Sequence, residues 1–171
     1  RGGWDADRIV VCPGPDLRSL FPRTFAQRGT RLCQLQMLRV RPPAGYRLSA
    51  AVMSDLSLVR YRGYSQLPAS QALVESLAHE QAEELAQGIH LIVVQSADGT
   101  LGVGDSHHYG EALMPFASAQ VEQLILQEMQ RMLRLRHYEV VERWTGLYPS
   151  SEGQDAFIAE VAAGVDLLSV T

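Results

Sequence analysis

Apolar residues recur along the chain at two spacings, and each spacing predicts a different kind of element. Alternation, or a short unbroken apolar run, predicts strands at residues 8–12, 31–40, 56–64, 89–96, 100–106, 138–148, 157–159 and 165–170. Recurrence at every third or fourth residue predicts helices at residues 70–87 and 118–135, with shorter helical pieces between residues 16 and 29. This order predicts an α+β fold in which helices back a mixed, largely antiparallel sheet.

The two long predicted helices have recognisable ends. Ser70 and Ser118 are candidate N-caps, because a serine hydroxyl accepts a hydrogen bond from the first turn of a helix. Gly88 is expected to end the first helix. The second helix has a stripe of apolar residues that we expect to be buried, namely Val121, Leu124, Ile125, Met129, Met132 and Leu133. The sheet and these two helices account for most of the chain.

Residues 89–110, with the sequence IHLIVVQSADGTLGVGDSHHYG, form the stretch with the most distinctive chemistry. Two apolar segments flank Asp98-Gly99, which is among the strongest signals for a β-hairpin. Side chains alternate along a strand, so Asp105 and His107 continue the face that begins with Leu101 and Val103. An apolar strand face therefore ends in polar groups.

The register of this hairpin decides which side chains meet at its end. A two-residue Asp98-Gly99 turn places His90 opposite His107, with Asp105 beside them, whereas a three-residue loop that includes Ala97 separates the histidines. The sequence leaves both registers open. Two imidazoles and a carboxylate have the chemistry of metal ligands, but their spacing matches no named motif, and hydrogen-bonded histidines are commoner at strand ends. We therefore expect no metal.

Composition narrows the class of protein. The chain has 171 residues, which suits one domain, and its 46% hydrophobic content suffices for a core. A net charge of −4 offers no basic surface for nucleic acid, and no apolar run approaches the ~20 residues that cross a bilayer. Cys12 and Cys33 form no CxxC pair, so we expect two buried thiols and a cytoplasmic protein. The first and last residues suggest a piece of a longer chain.

Self-contained catalytic motifs are absent from the sequence, but three stretches together resemble a known family. Residues 6–14, ADRIVVCPG, are similar to a strand beside the flavin in FAD-dependent oxidoreductases of the D-amino-acid oxidase, glycine oxidase and sarcosine oxidase family. Residues 96–105, SADGTLGVGD, resemble that family's Asp-Gly turn and the strand after it. Residues 144–149, WTGLYP, resemble its Trp-x-Gly-x-Arg-Pro segment. The segments CPG, LQMLR, GDSHHYG and ERWTG are most similar to a branch associated with phosphonate breakdown, proposed to oxidise small aminophosphonates.

The resemblance implies a division of the chain and a cofactor. Residues 1–30 correspond to the edge of the flavin-binding domain and a connector, residues 31–150 to the substrate-binding domain, and residues 151–171 to a return toward the flavin-binding domain. The phosphate-binding GxGxxG motif would precede Arg1, and the C-terminal flavin loop would follow Thr171. FAD is thus expected in the full-length protein, with the rest of the flavin-binding domain as partner, and the isolated chain is expected to bind it poorly.

The resemblance also implies site residues, with one departure from the family pattern. Where glycine and D-amino-acid oxidases have an arginine for the substrate carboxylate, this chain has Tyr148, which favours a different anion on the small amine substrate. The expected substrate-binding residues are Arg39, Arg60, Asp105, His107 and Tyr148. The expected cofactor-binding residues are Pro13, Gly14, Trp144 and Gly146. The alternative is a cofactor-free α+β module that binds a ligand, or a metal through His90, Asp105 and His107.

Overall fold

A computed structural model describes residues 3–110 and 113–171 and confirms the predicted α+β class. The strands are β1 (Ile9–Val11), β2 (Arg31–Arg41), β3 (Val52–Met53), β4 (Ile92–Gln95), β5 (Leu101–Gly104), β6 (His108–Gly110), β7 (Glu139–Ser150), β8 (Ala156–Ala162) and β9 (Val165–Val170). The helices are α1 (Pro22–Gln27), α2 (Asp55–Arg60), α3 (Arg62–Ser65), α4 (Ser70–Glu80), α5 (Ala82–Ala86) and α6 (Ala119–Leu133). The chain divides into two compact units, and β2, β6 and β7 contribute residues to both.

The first unit contains the N-terminal segment up to Cys33, a short piece that starts at Tyr109, and the C-terminal segment from Leu147. Its sheet has the strand order β1-β9-β8, with β1 parallel and β8 antiparallel to β9. Its small core consists of Phe25, Phe157 and Leu167. The two aromatic rings meet edge to face at 5.9 Å between centroids, a favoured arrangement for such pairs.

The second unit contains Gln34–His108 and Met114–Gly146 and holds the larger core. Its strands belong to a six-stranded sheet with the order β3-β4-β5-β2-β6, in which β7 also pairs with β2. The pairs β3–β4, β4–β5 and β2–β5 are antiparallel. Buried side chains of the sheet pack against buried side chains of α2, α4 and α6, including Leu38, Val40, Leu91, Val93, Leu101, Val103, Leu56, Leu77, Ile125 and Met129. The helices therefore back the sheet, as the apolar spacing predicted.

Residues 56–64, which were expected to form a strand, are helical instead. All but Tyr61 lie in α2 and α3, and Tyr61 joins the two helices with an extended backbone. Leu56 is buried and Val59 packs against the same core, a separation of three residues that suits a helix. Asp55 is the first residue of α2, and its Oδ1 accepts a hydrogen bond from the backbone N–H of Leu56 at 3.0 Å, whereas the N-cap residue Ser54 makes no side-chain capping bond. Packing on the core thus outweighs the strand preference of these residues.

Three further expectations need correction. The helix predicted at residues 70–87 is two helices, because the backbone of Gln81 departs from helical geometry with φ −138° and ψ 43°. Ser70 is the first residue of α4 rather than its cap, and Ala69 occupies the N-cap position. Cys12 is exposed, whereas Cys33 is buried as expected. Cys12 directly follows β1, whose residues Ile9 and Val10 are themselves exposed.

Ser118 is the N-cap of α6, as predicted. Its Oγ accepts a hydrogen bond from the backbone N–H of Val121, and the side chain of Gln36 bonds both the N–H and the carbonyl of Ser118. Val121, Leu124, Ile125 and Met129 are buried, but Met132 is exposed. Leu133 is partly buried against the same core, so Met132 is the one member of the predicted stripe that is exposed.

Substituting Ser118 with alanine is expected to lower the free energy of unfolding by about 1 kcal/mol, because one N–H of the first turn of α6 loses its acceptor. Chemical denaturation measures this change. Ser118→Gly is the comparison, since glycine at an N-cap costs only about a few tenths of a kcal/mol. Equal losses for both variants would contradict a capping role for the hydroxyl.

Membrane-spanning length is not reached by any helix in the part of the chain that the structure describes. The longest, α6, has 15 residues, and no described helix combines the length and apolarity needed to cross a bilayer.

Candidate functional site

The polar end of the central hairpin brings three potential ligands together. His90 lies just before β4, and Asp105 and His107 follow β5. The strands pair with Ile92 opposite Gly104, which corresponds to a three-residue loop at the turn. Past Gly104 the pairing shifts by one residue, because His90 exchanges both backbone hydrogen bonds with Asp105, each at 3.2 Å.

This shift corrects one expectation about the register. The three-residue loop was expected to separate His90 from His107, but the two rings stack with centroids 4.4 Å apart. Their Nε2 atoms are 3.2 Å apart. The irregular step after β5 thus brings the imidazoles together in the register that a regular ladder would have excluded.

We call His90, Asp105 and His107 the ligand cluster. Oδ1 of Asp105 lies 3.4 Å from Nε2 of His90, and its Oδ2 lies 3.8 Å from Nε2 of His107. One ligand atom from each residue lies within 4.8 Å of the other two. The imidazole side chains are 4% exposed and that of Asp105 is 16% exposed. The cluster is therefore nearly closed to water, except on the side of the carboxylate.

Burial sets the protonation of the cluster. It lowers the pKa of His90 to about 3, with a further contribution from His107, and that of His107 to about 4, with a further contribution from Arg60. It raises the pKa of Asp105 to about 6. Both rings are consequently neutral near pH 7, while the carboxylate is largely ionised.

Neighbouring groups fix the orientation of each ring. His107 donates its Nδ1–H to the carbonyl of Gly88 at 2.9 Å, so Nε2 of the neutral ring carries the lone pair. Nδ1 of His90 lies 3.5 Å from Oγ of Ser57, a hydroxyl that also contacts the carbonyl of Leu91. His107 is therefore held more firmly than His90.

One atom of the cluster is unsatisfied. Oδ1 of Asp105 is buried and has no hydrogen-bond partner, one of two such side-chain atoms among the described residues. A buried carboxylate oxygen without a partner is costly, and in native structures it calls for an explanation. Here that oxygen lies 3.4 Å from Nε2 of His90.

Arg60 and Tyr61 approach the cluster from the end of α2. The guanidinium of Arg60 lowers the pKa of all three cluster residues, which places its positive charge nearby. The ring of Tyr61 meets that of His90 edge to face at 5.3 Å. Burial, followed by the charge of Asp105, raises the pKa of the Tyr61 phenol. Of the two arginines predicted to bind substrate, Arg60 is thus the one beside the cluster.

The other predicted residues lie elsewhere. Arg39 lies on β2, opposite Gly102 of β5, and forms an ion pair with Glu142 at 3.4 Å. Its positive charge also contributes to the lowered pKa of Asp98 at the hairpin turn. Trp144 is exposed on β7 within the second unit. Two residues later in the same unit, Gly146 lies against Leu35.

Three more of the predicted residues belong to the first unit. They are Pro13 and Gly14 after β1, and the half-buried Tyr148 on β7. Gly14 has φ +59° and open space where a Cβ would lie. The roles assigned to these residues, and to those in the second unit, stay predictions.

The described residues do not provide a pyrophosphate site for FAD. Such a site places a glycine turn at the N-terminus of a helix that directly follows a strand. Here the turn after β1 leads into an irregular segment, and α1 begins only at Pro22, with Phe21 at an N-cap position that makes no side-chain bond.

Sequence reasoning missed several neighbours of the cluster. Ser57 and Tyr61 were assigned to a strand, although they lie on or just after α2. Gly88 was expected only to end a helix, but its carbonyl also holds His107. No pattern in the sequence marks these contacts, because they join segments about 20 to 35 residues apart.

Comparison with known proteins gives a similarity in fold. No protein-family model matches the sequence, and no curated protein matches it. A glycine oxidase from Geobacillus kaustophilus has a TM-score of 0.63 at 16% identity, over 95% of this chain and 35% of its own. A glycine oxidase from Bacillus cereus has a TM-score of 0.61 at 13% identity, over 94% of this chain and 36% of its own. The chain thus spans about a third of the length of these enzymes and has the fold of that portion.

Proposed function

We propose that this chain is the substrate-side part of an FAD-dependent oxidoreductase that oxidises a small amine. The observation that carries the proposal is the similarity in fold to two glycine oxidases across 94–95% of the chain. The three stretches that resemble the D-amino-acid oxidase family support it, since they occur in the family's order. In this proposal residues 31–150 form the substrate side, and the FAD phosphates bind to sequence outside the 171 residues.

The proposed substrate class follows from Tyr148, which stands where the family has an arginine for the substrate carboxylate. A phenol cannot form the two parallel charge-assisted hydrogen bonds by which an arginine binds a carboxylate. We therefore propose a small amine that carries a phosphonate or a similar anion. Arg60 is the candidate partner for the anion, because guanidinium groups suit phosphonate oxygens and this one lies beside a buried polar cluster.

Steady-state kinetics of the whole gene product that contains this chain test the proposal. The purified protein is expected to carry flavin and to oxidise 2-aminoethylphosphonate or aminomethylphosphonate with a higher kcat/KM than glycine, sarcosine or D-alanine. Tyr148→Arg is expected to shift that preference at least tenfold toward the amino acids, because it restores a cation for the carboxylate. Tyr64→Arg, which changes an exposed tyrosine on α3, is the control and is expected to leave the preference unchanged.

Different failures have different meanings. A gene product without flavin, and without activity on any amine when FAD is added, would overturn the oxidoreductase proposal. Flavin together with a preference for glycine or D-alanine would retain the enzyme class and overturn the phosphonate assignment. An unchanged preference in Tyr148→Arg would show that residue 148 does not face the substrate.

A further inference from the structure

We propose that Nε2 of His90, Nε2 of His107 and the carboxylate of Asp105 form a three-ligand site for a divalent transition-metal ion of the zinc type. This inference goes beyond the proposed oxidoreductase function and does not depend on it. It also revises the roles expected from sequence, because Asp105 and His107 become metal ligands rather than direct substrate contacts. Their side chains, 16% and 4% exposed, present little surface to a substrate.

Two of the separations between the ligand atoms are close to those around a zinc-sized ion. In a tetrahedral site with bonds of about 2.0–2.1 Å, neighbouring ligand atoms are about 3.3 Å apart. Nε2 of His90 lies 3.2 Å from Nε2 of His107 and 3.4 Å from Oδ1 of Asp105, both close to this value. Nε2 of His107 is 3.8 Å from the other carboxylate oxygen, Oδ2, so the carboxylate and one ring must reorient before one oxygen and both nitrogens meet a single ion. Oδ1 of Asp105, which has no hydrogen-bond partner, would then be a ligand of that ion.

The surroundings have the features that accompany histidine ligands in metal sites. A ligating imidazole usually donates its second N–H to a carbonyl or carboxylate, which fixes the tautomer and makes the ligating nitrogen more basic. His107 does this with the carbonyl of Gly88.

Binding requires a local rotation of one ring. The imidazole planes are 24° from parallel, so their in-plane lone pairs do not converge on one point. The hydrogen bond to Gly88 holds His107, whereas the nearest contact of Nδ1 of His90 is at 3.5 Å. His90 is therefore the ring that turns, and the broad energy well of its terminal torsion makes this rotation inexpensive.

The donor set and the local charge narrow the choice of ion. Imidazole ligands favour zinc and its first-row neighbours over magnesium and calcium, which prefer oxygen. The nearby Arg60 opposes any cation, so the ion must gain most of its binding energy from direct bonds to the three ligands. Three protein ligands leave a position for water, on the side where Asp105 meets solvent.

Metal titration of the purified, tag-free chain after treatment with a chelator tests the site. Zn²⁺ is expected to bind with a stoichiometry of one by isothermal calorimetry and by elemental analysis after dialysis. Bound Co²⁺ is expected to give visible d–d absorption typical of four- or five-coordinate cobalt. In NMR spectra, Zn²⁺ is expected to shift the Nε2 signals of His90 and His107. Mg²⁺ is expected to have no effect in any of these measurements.

Two substitutions assign the ligands. Asp105→Asn keeps the size of the side chain but removes its charge, and His90→Gln removes the ring that turns. Each is expected to weaken Zn²⁺ binding about 100-fold or more, since even the loss of a partner outside the ligand shell costs about 10–100-fold. His79→Gln changes an exposed histidine of α4 in the same unit and is expected to leave affinity unchanged. Circular dichroism shows whether each variant is folded, and only folded variants are compared.

The proposal is overturned if the unmodified chain binds no Zn²⁺ at one equivalent, if Mg²⁺ competes equally, or if the NMR shifts fall on His79, His108 or His137. It is also overturned if folded Asp105→Asn and His90→Gln both keep the affinity of the unmodified chain. In that case the two rings share a simple hydrogen bond. All these measurements are made without flavin or amine substrate, so they are independent of the test of the oxidoreductase proposal.

Discussion

Substituting Gly88 with alanine is expected to lower the free energy of unfolding of the second unit by about 2–5 kcal/mol. Gly88 has φ +59°, and a left-handed backbone costs a residue with a side chain about 1–2 kcal/mol. The added Cβ would also lie 2.8 Å from the carbonyl oxygen of His107 and 3.1 Å from its Cβ. These contacts involve backbone and the start of a side chain, so relief requires the chain itself to move, at a further cost of about 1–3 kcal/mol.

Gly45→Ala separates these two contributions. Gly45 belongs to the same unit and has φ +82°, which is no more favourable for alanine, but no other atom lies within 4 Å of the position of its Cβ. Its loss is expected to be about 1–2 kcal/mol, from backbone strain alone. Urea denaturation followed by circular dichroism measures both variants. Equal losses would mean that Gly88 is required for its φ only and that the packing against His107 is not tight.

Gly88 also shows how far the sequence could predict the site. A glycine after a helical apolar pattern predicts the end of a helix, and α5 does end at Ala86. The same glycine also lies against His107 and accepts its Nδ1–H, a contact between residues 19 apart in sequence. Sequence patterns report on residues that are close in the chain. They therefore predict that Gly88 ends a helix, but they cannot predict that it also contacts His107.

The hairpin gives a second example. Alternation and Asp98-Gly99 were enough to predict two strands and a turn, because these signals are local. The approach of His90 to His107 instead depends on a shift of one residue after Gly104. Such a shift changes which side chains of the two strands lie on the same face of the sheet. No sequence pattern between Asp105 and His107 predicts it. The expectation of no metal relied on the absence of a named motif spacing and on the commonness of hydrogen-bonded histidines at strand ends, neither of which takes such a shift into account.

The helices differ in how well their sequences specify them. The helical pattern of α6 runs over 15 residues, and the structure confirms its predicted N-cap, Ser118. Over this length the spacing of the apolar residues fits a helix and not a strand, although Met132 is exposed. The six residues of α2 include Leu56 and Val59, whose types suit a strand as well as a helix. Their helical form depends on packing against a core assembled from distant segments, so a short window of sequence could not identify it.

Arg131→Met is expected to lower the free energy of unfolding by about 3 kcal/mol, because it leaves a buried carboxylate without its partner. The side chain of Glu128 is 2% exposed and accepts two hydrogen bonds from Arg131, both at 2.8 Å. The same guanidinium also donates to Asp55 at 3.0 Å and to Gln81 at 3.2 Å. It therefore joins α6 to α2 and to the junction between α4 and α5.

Arg143→Met provides a control with the same chemistry at a different depth. Arg143 also forms two hydrogen bonds with one carboxylate, that of Glu122, both at 2.7 Å. Glu122 is 20% exposed and Arg143 is 49% exposed, so water replaces the lost partner, and the expected cost is about 0.5 kcal/mol.

The double variant Glu128→Met with Arg131→Met removes both charges and is expected to be more stable than Arg131→Met alone. Thermal and urea denaturation of the four proteins measure these differences. Similar losses for Arg131→Met and Arg143→Met would contradict the importance of burial, and a double variant less stable than Arg131→Met would show that Glu128 stabilises the fold by contacts other than those with Arg131.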